Sequence, residues 1–191
     1  LIRSIPSTPV VICDFPAQAT GFLLENWKAY NVSEVLAAKK TRPVNIIFAA
    51  DDQTAQISAA KILAQFGDTS DYLIVHNPAR ARSDEFNKLS LYKALQKAGA
   101  REIILPTILA DTLAQVQEVA KAKQAYVTLD DAAKDPLLPM INRFDIETFQ
   151  NKVLAQLEYV ADILLPNIEL IKSRIFQSER IDHGKIDPFN L

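Results

Sequence analysis

Residues 9–17 read PVVICDFPA, an apolar run followed directly by an acidic residue and a proline. A run of Val, Val, Ile and Cys without polar alternation is typical of a parallel strand that helices cover on both faces. Asp14 then falls at the carboxyl end of this predicted strand. Because ligands bind at that edge of open α/β sheets, the position of Asp14 makes its carboxylate a candidate for chemistry.

Three more apolar runs follow the first one. They are predicted as strands at residues 43–50, 72–76 and 101–105, and segments with helical periodicity at 54–66, 83–98 and 111–123 come after them. Strand starts near residues 9, 44, 71 and 101 have the spacing of successive βαβ units. The sequence therefore predicts an α/β fold with a three-layer, doubly wound and mostly parallel sheet.

The remaining segments complete this predicted domain. Helices are expected at residues 20–30 and 33–40, a short edge strand at 126–129, and a loop at 130–142 that contains two prolines. A long helix is predicted over residues 146–164, and Pro166 is well placed in the first turn of another helix. Since no linker divides the chain, residues 1–191 are predicted to form a single α/β domain, with C-terminal helices at 143–178 packed on it.

The composition excludes several classes of protein. The chain has 21 basic and 23 acidic residues, so its net charge of -2 gives no global electrostatic reason to bind nucleic acid or an anionic membrane. Cys13 is the single cysteine, which rules out a disulfide framework. No apolar segment approaches the roughly 20 residues that a membrane-spanning helix needs. We therefore expect a soluble, cytoplasmic protein without a membrane segment.

Polar residues and a proline follow the predicted parallel strands. They are Asp14, Asp51, Asp52, Asn77 and Pro106, and they would share one edge of the sheet. Each has a simpler interpretation when taken alone. Asp and Asn after a strand commonly form turns by bonding to nearby backbone groups, and a proline stops the strand. Only their common placement points to a binding site.

Four motifs carry a resemblance to a known family. Residues 10–17 resemble the Asp-x-Pro-Ala switch segment of the ParA/MinD family of P-loop ATPases, and residues 48–54, FAADDQT, resemble that family's next strand and helix. Residues 73–78, LIVHNP, resemble the strand whose terminal Asn recognises adenine. Residues 103–106, IILP, resemble the later strand whose proline borders the base. The motifs occur in family order over about residues 8–122.

The resemblance implies a function and a site. Asp14 would be the catalytic carboxylate that holds a water of the Mg²⁺ shell, since Mg²⁺ keeps several waters when it is bound beside phosphates. Asn77, Pro106 and Asp51 would bind the nucleotide, because the Asn77 amide offers a donor and an acceptor to the edge of a purine. The implied cofactors are ATP and Mg²⁺.

The same resemblance implies a biological role. ATP would promote a homodimer that acts in plasmid or chromosome partition, in positioning of cell machinery, or in conjugative DNA transfer. A DNA-bound adaptor or a cargo protein would be its partner.

The sequence departs from the family at the phosphate-binding loop. The four glycines are Gly21, Gly67, Gly99 and Gly184, and none belongs to a Gly-rich loop with a following Lys and Ser/Thr after an early strand. His183-Gly184-Lys185 lies in a tail rich in turn formers. Because the chain also begins with Leu1, we expect it to be part of a larger nucleotide-binding domain and to be inactive alone.

Two alternatives remain open. The chain could be a nucleotide-independent adaptor or interaction module that keeps the sheet without the phosphate loop. It could also be a small-molecule-binding enzyme that uses the edge with Asp14 and Asp51. His76 is interpreted as a packed residue, because no Ser or Cys nucleophile is suitably placed to pair with it. Arg80 and Arg82 are interpreted as solvated loop residues.

Overall fold

The computed structural model describes residues 10–15, 19–79 and 83–165. The chain divides into two compact units, one of residues 15–160 and the other of residues 1–14 and 161–191. The described part of the second unit comprises residues 10–14 and 161–165, with a short helix, Ala161–Leu164. The larger unit holds the sheet and the remaining helices.

The elements of the larger unit alternate as the spacing predicts. Its strands are β1 (Val44–Phe48), β2 (Asp71–His76) and β3 (Arg101–Ile104). Its helices are α1 (Thr20–Ala29), α2 (Val32–Ala38), α3 (Gln53–Phe66), α4 (Ser83–Asn87), α5 (Ser90–Lys97), α6 (Ala110–Lys123), α7 (Leu129–Ala133) and α8 (Met140–Tyr159). A 3-10 turn, Gly67–Thr69, follows α3.

The three strands form an all-parallel sheet in the order β1-β2-β3. The register places Ile47 opposite Ile74, and Ile74 opposite Glu102. The central strand β2 is buried from Tyr72 to His76, as expected for a strand with a neighbour on each side and helices over it. The predicted α/β fold with a parallel sheet, flanking helices and C-terminal helices is thus confirmed.

One core fills the space between the sheet and the helices α1, α3 and α5. Ile47, Tyr72 and Ile74 lie on the same face of the sheet and pack with Phe66 and Leu95. Trp27 of α1 meets Phe66 edge-on, with ring centroids 4.7 Å apart. The strands β1, β2 and β3 are neighbours in chain order and are joined by crossover connections. Crossovers of the same hand place their helices on the same face of the sheet, and α3 and α5 both lie on the face of the first core.

A second core joins α6, α7 and α8 through Val116, Val119, Ala132, Leu138 and Ile146. The long helix α8 also reaches the edge strand β3. Its Gln156 accepts a hydrogen bond through Oε1 from the backbone N–H of Ile104 at 3.0 Å. The guanidinium of Arg101 lies 4.7 Å from the centre of the Tyr159 ring, a cation–π contact.

The predicted first strand is wrong over its described residues. Residues 10–15 have no strand structure, and every residue from Val11 to Phe15 is exposed. Ile12 is 88% exposed, whereas a strand of a covered parallel sheet would bury it. A strand is held by the pairing of its backbone N–H and C=O groups, and none of the described strands pairs with this run.

The region after α6 also differs from the prediction. Residues 126–129 do not form an edge strand, because Thr128 is the N-cap of α7 and forms a capping box with Asp131. The predicted loop at 130–142 holds most of α7 and the first turn of α8. The long helix starts six residues earlier than predicted, at Met140, and ends at Tyr159.

Two smaller points complete the comparison with prediction. The helix predicted over 83–98 is two helices, α4 and α5. The helix predicted from Pro166 lies outside the described residues, as do Arg80 and Arg82. Within the described ranges, no helix combines the length and the apolar character that crossing a lipid bilayer requires.

Candidate functional site

The carboxyl ends of β1, β2 and β3 meet at one edge of the sheet, because the strands are parallel. Backbone pairing continues one residue past the strands. Ala49 N–H donates to the Val75 carbonyl at 2.9 Å, and Leu105 N–H donates to the His76 carbonyl at 2.8 Å. Asp51, Asn77 and Pro106 follow within two residues of these bonds. Three of the residues singled out in the sequence therefore lie at the same edge.

Asn77 is half-buried and follows the central strand. Its Oδ1 accepts a hydrogen bond from Ala79 N–H at 3.2 Å, which is the local turn that an Asn after a strand commonly makes. The Nδ2 group has no hydrogen-bond partner among the described residues. The side chain thus combines a turn-forming carbonyl with an amide donor that a ligand could use. Pro106, also half-buried, follows the adjacent strand.

The two aspartates after β1 have different surroundings. Asp52 is the N-cap of α3, and its Oδ1 accepts a hydrogen bond from Ala55 N–H at 2.8 Å. Its carboxylate is therefore occupied by a backbone N–H in the first turn of α3 that has no acceptor within the helix. Asp51 is exposed and makes no such bond among the described residues. Of the pair, Asp51 is the one with a carboxylate available to a ligand.

Asp14 is not at the end of a strand, which corrects the placement predicted for it. It is exposed and lies in the short described segment of the second compact unit. Its carboxylate is open to solvent, but no strand end positions it. Over the described parts of the chain, no group of three or more His, Cys, Asp or Glu side chains could hold a metal ion. The described residues alone therefore do not form a metal centre.

A polar cluster around the buried His76 lies behind the same edge and was missed by the sequence analysis. His76, 4% exposed, donates from Nε2 to Glu102 Oε2 at 2.8 Å. The other oxygen of Glu102, Oε1, accepts from the Tyr92 hydroxyl at 2.9 Å and from the Gln96 amide. The bond to Glu102, together with partial burial, raises the pKa of the Tyr92 phenol. His76 is thus packed, as predicted, but inside a hydrogen-bonded cluster.

The sequence held a weak signal for this cluster. Glu102 interrupts an apolar strand, and a charged residue in such a position needs a partner. Nothing local identifies His76 as that partner, since 26 residues separate the two. His76 Nδ1 is buried and has no hydrogen-bond partner among the described residues.

The strand-to-helix connections do not fit a triphosphate. Phosphate-binding loops need glycines that allow the backbone N–H groups to approach the ligand closely. The connections after β1, β2 and β3 span residues 49–52, 77–82 and 105–109, and none contains a glycine. Gly67 and Gly99 instead follow the helices α3 and α5, with positive φ angles of 50° and 81°. The described residues of these connections, 49–52, 77–79 and 105–109, therefore lack the glycines that a cradle for phosphates needs.

Comparison with known proteins gives no match of any kind: no family model, no curated protein and no solved structure is similar to this chain. The functional argument therefore depends on the geometry of the edge and on the motifs in the sequence.

Proposed function

We propose that this chain provides the base-recognition part of a ParA/MinD-like ATP-dependent dimerisation switch. The observation that supports the proposal is the placement of Asn77 and Pro106 at the ends of two paired strands. The bond from Leu105 N–H to the His76 carbonyl joins the residues that directly precede them. A purine at this edge would meet a polar side chain and an apolar ring held by the same rigid sheet.

The chemistry of the three edge residues suits a nucleoside. The Nδ2 group of Asn77 can donate to a ring nitrogen of a purine. Pro106 offers an apolar surface to the face of the base, and the exposed carboxylate of Asp51 can accept from a hydroxyl group. Asn77 and Pro106 directly follow residues whose backbones are paired, and positions next to paired strands are held more precisely than positions in long loops.

For Mg²⁺ binding and ATP hydrolysis, the proposal rests on the resemblance to the ParA/MinD family alone. Asp14 would hold a water of the Mg²⁺ shell, and ATP would promote the homodimer that engages a DNA-bound adaptor or cargo protein. The residues present do not fit the triphosphate, so no hydrolytic step is assigned to these 191 residues alone. We expect this chain by itself to show no micromolar binding of Mg-ATP in calorimetry. Micromolar binding of Mg-ATP would contradict the proposal that these residues recognise the base but do not bind the triphosphate.

The gene sequence provides the most direct test. Upstream of the codon for Leu1, we expect a strand followed by a Gly-rich loop with Lys and Ser/Thr. If the gene encodes no such loop, the ATPase proposal fails.

A second test addresses base recognition in the protein that contains the loop. Asn77→Ala should reduce the preference for ATP over GTP, measured as the ratio of the two dissociation constants. Asn87→Ala is the matched control, because Asn87 is an exposed amide at the end of α4. Equal ratios for wild type and Asn77→Ala would remove Asn77 from base recognition.

The second candidate function is a nucleotide-independent adaptor or interaction module. The absence of a glycine from all three strand-to-helix connections favours it. In that case the protein would bind its partner equally well with and without Mg-ATP, in a pull-down performed under both conditions. A strong dependence of partner binding on nucleotide would exclude the adaptor.

A further inference from the structure

The sheet has two outer strands, and they differ in what covers their free sides. At β3, Gln156 of α8 accepts a hydrogen bond through Oε1 from the backbone N–H of Ile104 at 3.0 Å. At β1, no residue that the structure describes bonds to the side facing away from β2. One side of the sheet is therefore closed by a helix, and the other side, which we call the open edge of β1, is not.

The backbone groups at the open edge of β1 form a regular row. The Pro43 carbonyl accepts from Asp71 N–H at 3.0 Å, and Ala49 N–H donates to the Val75 carbonyl at 2.9 Å. In a parallel strand, alternate residues direct both of their backbone groups to the same neighbour, so the residues between these two alternate in the same way. The groups that point away from β2 belong to Val44, Ile46 and Phe48.

This row specifies the chemistry of what can bind there. Each of the three residues offers one N–H donor and one C=O acceptor, and the pairs repeat about every 6.6 Å along the strand. The backbone of another extended segment has the same repeat, and it can satisfy every group of the row. The open edge of β1 therefore fits a further β-strand.

The side chains beside the row are apolar and uncovered. Ile46 and Phe48 lie on the face of the sheet opposite the first core, and they are 50% and 59% exposed. On that same face Leu73, Val75 and Ile103 of the other two strands are buried. All-parallel sheets occur almost only with both faces covered. The cover over this face stops at β1, where a longer sheet would continue it.

β1 also lacks the features that keep an exposed strand from pairing. Such strands commonly contain a charged residue, a proline or a bulge. The sequence of β1 is VNIIF, and its register with β2 is continuous from Val44 to Phe48. Arg42, just before the strand, is already paired with Asp71 at 2.6 Å. The composition of β1 is thus that of a strand with neighbours on both sides.

We infer that the open edge of β1 pairs with a parallel strand, apolar at alternate positions, from the segment upstream of Leu1. This edge assignment rests on the proposed function, which expects a strand and a Gly-rich phosphate-binding loop in that segment. The parallel direction puts the loop at the same end of the sheet as Asp51 and Asn77. Because strands lie about 4.8 Å apart, the loop would be one strand from Asp51 and two strands, about 10 Å, from Asn77.

The opposite side of the sheet does not offer an equivalent position. A strand beyond β3 would have to displace Gln156 from the backbone N–H of Ile104. It would also separate Arg101 from the ring of Tyr159, which lies 4.7 Å from the guanidinium. The upstream strand is therefore assigned to β1.

Amide hydrogen exchange, measured by NMR, tests the edge assignment in two proteins. In the 191-residue chain, the outward amides of Ile46 and Phe48 should exchange at least about tenfold faster than the amide of Ile47, which points to β2. In the longer gene product that includes the upstream segment, all three amides should exchange equally slowly, because the outward ones are then paired as well.

The outcomes separate this inference from the proposed function. Fast exchange at Ile46 and Phe48 in a longer protein that has the Gly-rich loop would overturn the edge assignment and leave the ATPase proposal standing. Slow exchange caused by an upstream strand without such a loop would support the edge assignment, while the ATPase proposal fails. Slow exchange at both amides already in the 191-residue chain, or a gene without residues upstream of Leu1, would overturn the edge assignment.

A charged substitution gives a second test. Ile46→Lys should lower the melting temperature of the longer protein by about 5 °C more than that of the 191-residue chain, because the added strand would cover the charge. Leu154→Lys is the matched control, since Leu154 is 57% exposed on α8, and it should cause the same small shift in both proteins. Equal shifts for Ile46→Lys in the two proteins would overturn the edge assignment. Circular dichroism of the 191-residue variant checks that the fold is retained, as expected for a half-exposed side chain.

Discussion

Two apolar runs in this protein look alike in sequence and differ completely in structure. Residues 10–13, VVIC, precede Asp14, and residues 72–75, YLIV, precede His76 and Asn77. Ile74 is 0% exposed, in the central strand of a parallel sheet, whereas Ile12 is 88% exposed. The difference shows that an apolar run is a candidate strand, and that pairing with neighbours decides whether a strand forms.

The physical reason is the location of the hydrogen bonds. A helix satisfies its backbone groups within its own segment, but a strand needs partners from other parts of the chain. Residues 72–75 have β1 on one side and β3 on the other. Residues 10–13 have no such neighbours among the described strands. The predictions below measure how far the two runs differ.

The largest expected difference is in amide hydrogen exchange. The amides of Leu73 to Val75 lie in the paired and buried strand, and should exchange only through global unfolding. The amides of residues 11–13 should exchange at least about 10³-fold faster, because an unpaired and exposed amide needs no opening step. Exchange measured by NMR tests this. Protection of residues 11–13 equal to that of β2 would mean that the first run is a paired strand in solution.

The next difference is in the cost of removing a side chain. Ile74→Ala should lower the free energy of unfolding by about 2–5 kcal/mol, because it leaves a cavity in the first core. Ile12→Ala should change it by less than about 0.5 kcal/mol, since the side chain is already in water. Urea denaturation of both variants makes the comparison. A loss of several kcal/mol for Ile12→Ala would break the contrast between the two runs.

A smaller effect is expected from the polar cluster that ties β2 to β3 and α5. Glu102→Ala should cost about 1–3 kcal/mol, because His76 and Tyr92 lose their common acceptor while they remain partly or fully buried. Glu118→Ala is a control on the surface of α6, where an exposed ion pair contributes at most about 1 kcal/mol. If the two variants are equally stable, the hydrogen bonds of the cluster add nothing to the stability that the burial of β2 provides.

The same cluster predicts a dependence on alkaline pH. Because the pKa of Tyr92 is raised in the folded protein, its bond to Glu102 contributes fully below the ordinary tyrosine pKa of about 10. The contribution is lost as the pH rises through the raised pKa. Stability measured above pH 10 should therefore fall more steeply in wild type than in Tyr92→Phe. Parallel curves for the two proteins would rule out this linkage.

The smallest effect separates the two aspartates at the end of β1. Asp52→Ala should destabilise the protein by about 1 kcal/mol, because α3 loses its N-cap. Asp51→Ala should leave stability within about 0.5 kcal/mol of wild type, as expected for an exposed side chain outside the cap. Thermal denaturation of the two variants is sufficient. The reverse order would mean that Asp51, and not Asp52, has the structural role.

Much of the sheet could be read from the sequence, because its signals are local. The apolar runs at β1, β2 and β3 and the helical periodicity of α3 and α6 all lie within single segments. The placement of Asp51, Asn77 and Pro106 at one edge could also be predicted. The βαβ spacing indicates parallel strands, and parallel strands end on the same side of the sheet. The capping box of Thr128 and Asp131 is also a local signal, but it has Asp at the position where Glu or Gln is usual, which makes it harder to recognise in the sequence.

The sequence by itself thus determined the class of the fold, the three paired strands and the residues that follow them. Only the tertiary structure decided that residues 10–13 pair with none of the described strands, that His76 bonds to Glu102, and that the large apolar side chains at the start of α8 are exposed. These three outcomes depend on contacts between segments far apart in the chain, or on their absence. Periodicity within one segment contains no record of such contacts, whereas burial and pairing are properties of the assembled chain.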